Sequence, residues 1–541
     1  MQIFSIWNNK NEYREIIANA AVSSVRRKNM RVIIVGGVAG GATAAARLRR
    51  LDENAEIIIF ERSGFISYAN CGLPYYIGGV IEDKKELTLQ TPDSLWRRYR
   101  IDVRVHHEVT VVDPGKKTVT VKDLDTGRVF EESYDKLILA TGAKPTVPQM
   151  TGAELENVFS LRTVEDTLKI RAFVENRKPK TVVIAGGGYI GIEMAENLSA
   201  LGMDVTIVQR PAQLMPPLDA DMASLVHAKM RRQGVKLKFG SSVIGFEQDG
   251  EKVNTLLKDE CPLKSDMVIL AIGITPDTTL AKEAGLALGI KGSIIVNEKM
   301  ETSAQDVYAV GDAVQVKQYV TGEDALISLA GPANKQGRIA ADNICGIEST
   351  YDGSMGSSVV KLFDMTIATT GLNEKSAKTA GIEVEKIVIS HASHAGYYPG
   401  AKTMFMKVLC DKSSRKLIGA QIIGYDGVDK RIDVIATAIQ CGMTGPDLKK
   451  LDLAYAPPFS SAKDPVNMAG FVFENVFSGI VKQFHFSDIA TLPRDGSVTL
   501  LDTRTDKEYN AGHAEGFMHI PVDDLRERLD EVPSNMPVYV M

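Results

Sequence analysis

The segment Ser67–Tyr76 reads SYANCGLPYY, with one cysteine, Cys71, among small and aromatic residues. A thiolate is the strongest nucleophile a protein side chain offers, and its reactivity is set by its surroundings. A cysteine is most often a small buried hydrophobe. This one follows closely on a strand with the pattern of a cofactor-binding unit, and that context favours chemistry. The other cysteines, Cys261, Cys345, Cys410 and Cys441, form no CxxC pair with it or with each other. They read as core or surface thiols. The spacing argues against a zinc site and against a disulfide-stapled secreted fold, so no metal is expected and a reducing, cytoplasmic compartment fits best.

The elements that must position Cys71 begin at RVIIVGGVAGGATAAARLRR, residues 31–50. An apolar, β-branched strand runs into a glycine turn, Gly36, Gly37, Val38, Ala39, Gly40 and Gly41, and then into a helix of small residues. Such a turn lets backbone approach a pyrophosphate, and the helix turns free N–H groups and its positive dipole end towards it. The next strand, EIIIFER, ends at Glu61 and Arg62, and an acid 25 residues after Gly36 can bind ribose hydroxyls. Val38 stands where G-x-G-x-x-G has its middle glycine. The pattern recurs at 181–210, where Gly186, Gly188 and Gly191 fill all three positions, with Tyr189 and Ile190 between them and Glu193 on the helix that follows. Its second strand ends in Gln209 and Arg210 rather than an acid. Arg210 can pair with a 2′-phosphate, so the reading leans towards NADPH, or use of NADH as well.

Two further strands end in turns of the same kind: Ala140, Thr141, Gly142 in YDKLILATGAKP, and Gly311, Asp312 in YAVGDAV. An aspartate there can bond the ribityl chain of a flavin. Chain length allows about three domains, since the sequence has 541 residues. With 63 basic and 68 acidic residues the net charge is −5, which gives no electrostatic case for nucleic acid or an anionic membrane. No apolar run approaches the ~18–20 residues of a membrane span. Residues 1–29 lack the order of a secretory signal and read as an N-terminal extension with a short amphipathic helix around 12–25, or as a stretch preceding a true start at Met30.

Together GGVAGGATAA, SYANCGLPYY, YDKLILATGA, GGGYIGIE, YAVGDA, LAGPANKQGR, SHAGYYPG and LAYAPPFSSAKDP resemble the pyridine nucleotide–disulfide oxidoreductases over residues 30–470, and within them the coenzyme A disulfide reductase branch. The resemblance implies an α/β fold of two Rossmann-like domains, for FAD and NAD(P)H, plus an α+β dimerisation domain. FAD would take 30–147 and 276–350, NAD(P)H 148–275, and dimerisation 351–475. Relatives with two cysteines space them CxxxxC, but the fifth residue after Cys71 is Tyr76. A lone thiol then either cycles through a sulfenic acid or forms a mixed disulfide with a small thiol. Peroxidase-type relatives carry a histidine in the first glycine turn, and Ala39 stands there, which favours the mixed disulfide with coenzyme A over the oxidase or peroxidase alternative. The resemblance further implies a homodimer in which Tyr397 and Tyr455 of one subunit reach the active site of the other, with Tyr398 the competitor of Tyr397.

Coenzyme A carries phosphates and calls for cations. Arg47, Arg50 and Lys463 are the candidates, with Thr43, Ser67, Asn70 and Asn334 as hydrogen-bonding residues. A run of charge is usually a solvated helix face, and Arg47 is favoured because it shares a face with Thr43. After about residue 480 the composition shifts. LLDTRTDKEYNAGH and GFMHIP make 476–541 similar to the first half of a rhodanese domain, α/β in class, and the chain stops before the loop that carries that family's cysteine. Asp502 and Arg504 are read as holding that fold. An intact fusion would bring persulfide sulfur to the flavin site, which adds coenzyme A persulfide to the expected substrates.

Overall fold

The computed structural model describes residues 29–147 and 150–541, so the helix expected around 12–25 lies outside the described residues. Strand Arg31–Val35 forms the middle of a five-stranded parallel sheet, with Lys136–Leu139 and Val307–Ala309 on one side and Glu56–Phe60 and Asp102–Arg104 on the other. Its apolar run RVIIV is buried almost throughout, as a strand covered on both faces must be. Ile33 sits beside Ile58 and Leu137 in register. A second parallel sheet repeats the plan: Thr181–Ala185 in the middle, Asp204–Gln209 and Lys236–Phe239 on one side, Met267–Leu270 and Val158–Ser160 on the other. Each repeat carries a three-stranded antiparallel flap, within 107–133 and 243–265. The chain passes between the repeats where Ala143–Pro145 pairs with Ile274–Pro276.

The third layer is antiparallel. Strands Ser358–Leu362, Met365–Gly371, Leu417–Gly424, Thr403–Asp411 and Val384–Ala392 lie in that spatial order, with helix Val428–Gln440 packed on the sheet. Lys407, wholly buried in Thr403–Asp411, faces the carboxylates of Asp219, Asp221 and Glu374. Those three acids are close enough to hold a cation, and the Lys407 ammonium occupies that role. The group ties the second Rossmann repeat to the antiparallel sheet. Gln421 adds to the tie, since its Nε2 donates to Asp219 Oδ2 at 2.7 Å.

Residues Gly445–Leu451 and Asn467–Met541 form a second compact unit, which therefore begins before the composition shift near 480. The reason is local: Asn467 Nδ2 donates to the carbonyls of Leu448 and Leu451, and Lys449 pairs with Glu474. Within this unit three short parallel strands, Met518–His519, Thr499–Asp502 and Val538–Val540, pack over Leu492, Leu500 and Phe517. Arg504 grips Asp502 at 2.6 Å. Among the described residues no helix is long and apolar enough to cross a membrane.

Lys407→Met should cost about 3–5 kcal/mol of folded-state stability, because it leaves grouped carboxylates without their cation. Thermal denaturation of the flavin-loaded protein checks this. Burial pushes the Glu374 carboxyl up, but Lys386 and Lys407 outweigh it and hold the carboxyl below its usual range. A depressed acid contributes fully above its unfolded pKa and loses that contribution as pH falls through the folded value. The wild type should therefore lose its advantage over Lys407→Met on acidification.

Candidate active site

Two backbone approaches shape the first cradle. Gly36 has φ +100°, and a Cβ there would lie 2.3 Å from the Ala140 carbonyl oxygen. A Cβ at Gly41 would lie 2.0 Å from the Gly36 oxygen. Strand, turn and helix close on one another only because both are glycine, and the helix Ala39–Leu51 then opens at the end of the strand. Val38 keeps an ordinary φ of −98°, so the departure from the glycine pattern carries no strain. The Glu61 carboxylate accepts the Gly37 N–H at 3.0 Å and the Ser63 N–H at 2.9 Å. Burial pushes this acid up against the pull of those N–H groups.

The cradle opens into a cavity of about 680 Å³. Gly36, Val38, Glu61, Arg62, Thr141 and Gly142 line it, and it runs on to Tyr68 and Asn70 beside the cysteine. Arg62 reaches Asp277 at 2.9 Å, and Thr141 donates to the Asp277 carbonyl at 2.6 Å. The Gly311 N–H donates to Gln336 at 2.7 Å, and Asp312 pairs with Arg162 at 2.6 Å. The Asn70 Oδ1 is buried and has no hydrogen-bond partner among the described residues. A long cleft with glycine floor, acid and threonine fits a dinucleotide such as FAD.

The second cradle repeats the two close backbone approaches of the first. Gly186 has φ +114° with Ala271 O 2.2 Å from a notional Cβ, and Gly191 meets the Gly186 oxygen at 2.0 Å. Here Gln209 fills the place of Glu61, accepting the Gly187 N–H at 2.9 Å. A Cβ at Gly188, just before the helix Tyr189–Ala200, would meet nothing within 4 Å among the described residues. Arg210 is exposed just beyond the strand. The Tyr189 and Ser358 hydroxyls are 2.5 Å apart.

Cys71 lies in a single helical turn, Asn70–Gly72, that leads into Leu73–Ile77. The residue is exposed, yet packed closely enough that burial pushes its thiol up, followed by the charge of Glu193. Arg162 pulls the other way, and Asp312 adds a smaller upward push. Glu193 is itself raised to about 7, by burial first and Glu196 second, and Tyr75 bonds to it. Tyr75 is pushed up to about 12 by burial and by both glutamates. Ser67, four residues before Cys71, adopts φ +45°, an uncommon conformation for a residue with a side chain. Its N–H donates to the Gly37 carbonyl at 2.8 Å, so the cysteine loop is pinned to the first cradle.

Other expected residues fall into two groups. Thr43 and Asn334 come together from two packed helices, hydroxyl to amide oxygen at 2.9 Å. Tyr397 and Tyr455 also meet, hydroxyl to hydroxyl at 2.6 Å, and that bond raises the Tyr455 phenol. Arg47 is instead engaged inside the fold, 2.6 Å from buried Asp342, a partner on a helix 295 residues away that its helix-face pattern did not indicate. Arg50 leans on the Tyr99 ring, and Lys463 is exposed. Sequence reasoning passed over Arg162, Tyr75 and Asp277. Only the chain crossing at 143–145 and the packing of Leu73–Ile77 against Tyr189–Ala200 bring them to the site.

Parallel sheets with paired glycine cradles, and one cysteine on a loop pinned to the first, define a dinucleotide-dependent thiol oxidoreductase. Residues 30–337 match the pyridine nucleotide-disulphide oxidoreductase model and residues 357–465 the dimerisation domain of the same group, and the chain belongs to that family. FAD and NAD(P)H are its cofactors. The chain is 36% identical over 443 residues to coenzyme A disulfide reductase of Staphylococcus epidermidis, covering 82% of this chain and 99% of that protein. The solved structure of reduced Bacillus anthracis CoADR-RHD shares 48% identity with a TM-score of 0.91, over 95% of this chain and 92% of that one. The NAD-dependent persulfide reductase from A. fulgidus shares 36% identity with a TM-score of 0.90, over 95% and 94%.

Because the Glu193 charge raises Cys71, Glu193→Gln should lower the pH midpoint for alkylation of the reduced thiol by iodoacetamide. The difference should appear above about pH 7, where Glu193 is ionised in the wild type. An unchanged midpoint would mean that the carboxylate does not act on the sulfur.

Proposed function

We propose that this chain is an FAD-dependent NAD(P)H reductase of coenzyme A disulfide and coenzyme A persulfide, acting as a homodimer through Cys71. The observation that carries the reading is an exposed, unpaired cysteine on a loop pinned to the dinucleotide cradle, with Tyr76 where a second cysteine would close an internal disulfide. The likeness to a coenzyme A disulfide reductase over 99% of that protein's length supports it, as does the persulfide reductase fold.

The Cys71 thiolate attacks one sulfur of coenzyme A disulfide. A Cys71–S–S–CoA bond forms, the substrate S–S bond breaks, and a coenzyme A thiolate leaves and takes up a proton. With coenzyme A persulfide the same attack releases hydrosulfide. FAD held along the first cavity would supply the electron pair, taken from NAD(P)H, for reducing the mixed disulfide. That reduction consumes two electrons and one proton and returns Cys71 thiolate and coenzyme A thiol. Because the substrate brings the second sulfur, one protein thiol suffices. Arg162 is the cation nearest in effect to the sulfur, and it opposes the upward push of burial and Glu193.

Glu61, Arg62, Thr141 and Asp312 would hold FAD along the first cavity, and Gly188, Tyr189 and Arg210 would receive the nicotinamide nucleotide. Thr43, Ser67, Asn70, Asn334, Arg50 and Lys463 would serve coenzyme A, with Arg47 acting from its place on Asp342. The Tyr397–Tyr455 pair of one subunit would supply the proton for the sulfur leaving at the Cys71 of the other. Residues 476–541 would take a rhodanese-like fold. Its parallel strands and the Asp502–Arg504 grip support that reading.

Anaerobic NAD(P)H consumption with coenzyme A disulfide, coenzyme A persulfide and glutathione disulfide offered in parallel tests the function. Turnover is expected with both coenzyme A compounds and not with glutathione disulfide. Cys71→Ser should keep its flavin and lose this turnover by at least about a thousandfold, the scale seen when a nucleophile is removed. Oxidation only on admission of air or peroxide would instead assign Cys71 to sulfenic acid chemistry. Arg210→Ala should raise KM for NADPH more than for NADH. Equal effects would remove its phosphate role.

A further inference from the structure

We propose that Arg431 is a positioning residue for the Tyr397–Tyr455 pair. The proposal rests on reading that pair as the proton source. Arg431 projects from helix Val428–Gln440 and is wholly buried. Its Nη2 donates to the Ser393 carbonyl at 3.0 Å, to Ser460 Oγ at 3.1 Å and to Asp464 Oδ2 at 3.0 Å. Its Nη1 donates to the Gly427 carbonyl at 3.0 Å. Ser460 Oγ donates to Asp464 Oδ2 at 2.5 Å, and the Ala395 N–H donates to the Ser460 carbonyl at 2.9 Å. Burial pushes the Asp464 carboxyl up, but Ser460, the Val466 N–H and Arg431 together hold it below the usual range. It is an ionised partner.

The hub joins the two stretches that carry the tyrosines. Ser393 stands four residues before Tyr397, and Ser460 five after Tyr455. Neither stretch is held by a sheet of its own. Residues 393–402 form the loop between strands Val384–Ala392 and Thr403–Asp411, and the chain around Tyr455 has no regular structure. The rings are 77% and 46% exposed in the single chain, so packing within the chain does not fix where their hydroxyls meet. What fixes it is the directional anchoring at the loop bases. A guanidinium presents its donors in a rigid planar fork, so several acceptors bonded to it are held at set angles to one another. For stability alone, apolar residues of similar volume would often serve as well as a buried ion pair. The fork adds geometry, and that geometry reaches the two phenols.

The test uses the full-length, flavin-loaded enzyme and a double-mutant cycle. Ser460→Ala removes one hydroxyl from the hub and leaves both tyrosines in place. It should lower kcat for coenzyme A disulfide by roughly three- to tenfold when Tyr455 is present and cause no further loss in the Tyr455→Phe background. The alkaline limb of kcat should move in the same direction as in Tyr455→Phe. Reduction of the flavin by NAD(P)H in stopped flow should stay unchanged. Arg431→Lys should show the same non-additivity, and Ser460→Ala decides the matter if that variant does not fold. Equal losses in both backgrounds, or slowed flavin reduction, would overturn the proposal by showing a general structural defect. If Tyr455→Phe itself has no effect, the proton-source reading falls and this inference with it. A Tyr455→Phe defect to which Ser460→Ala simply adds would sink the positioning role alone.

Discussion

The approach of the glycine turns to a neighbouring carbonyl is the constraint on which the rest of the molecule depends. In both cradles the strand, the turn and the next helix are pressed together until a single Cβ would collide at about 2 Å with backbone oxygen, at Ala140 and Gly36 in one and Ala271 and Gly186 in the other. That closeness lets the helix begin at the end of its strand with its first N–H groups free. Everything chemical is referenced to this point. The cysteine loop is tied to Gly37 through Ser67, and Glu61 and Gln209 brace the turns from the second strands.

The twin cradles also show how one plan serves two nucleotides. The brace is a carboxylate in the first and an amide in the second, and both accept the same turn N–H. The carboxylate keeps acceptor capacity for hydroxyl groups. The amide brings no charge to its site, and Arg210 stands exposed next to it. A difference of one side-chain atom thus changes the electrostatic character of a site whose backbone is unchanged.

Much of this was legible in the chain. Strand, glycine turn, helix, strand and acid occur in an order that few other folds need, and SYANCGLPYY marks the thiol. Contacts made by distant chain crossings were not legible. Arg47 on a helix face reads the same whether it meets solvent, a phosphate or Asp342, because Asp342 lies 295 residues away. Arg162 and Glu193 act on Cys71 from separate elements, and no periodicity links them. The second compact unit starts earlier than its composition does, since Asn467 and Lys449 bind residues whose types carry no such signal.

The surroundings of Cys71 are in tension with its proposed work, and the tension is informative. Burial and Glu193 favour the neutral thiol, and Arg162 favours the thiolate. A thiol held too basic attacks slowly, yet a basic thiolate is also the stronger nucleophile once formed. Glu193, raised to about 7, is neutral in part of the enzyme near neutral pH, and in that fraction its push on the sulfur is gone. Glu193 thus adds to the push of burial on the thiol, and its protonation removes only that second contribution. Proton delivery to the departing sulfur is a separate task, better placed on groups that do not share this charge environment. Within the chain neither Tyr397 nor Tyr455, the proposed proton source, is among the groups that shift the Cys71 thiol, so the proposal separates the thiol from its acid along the chain.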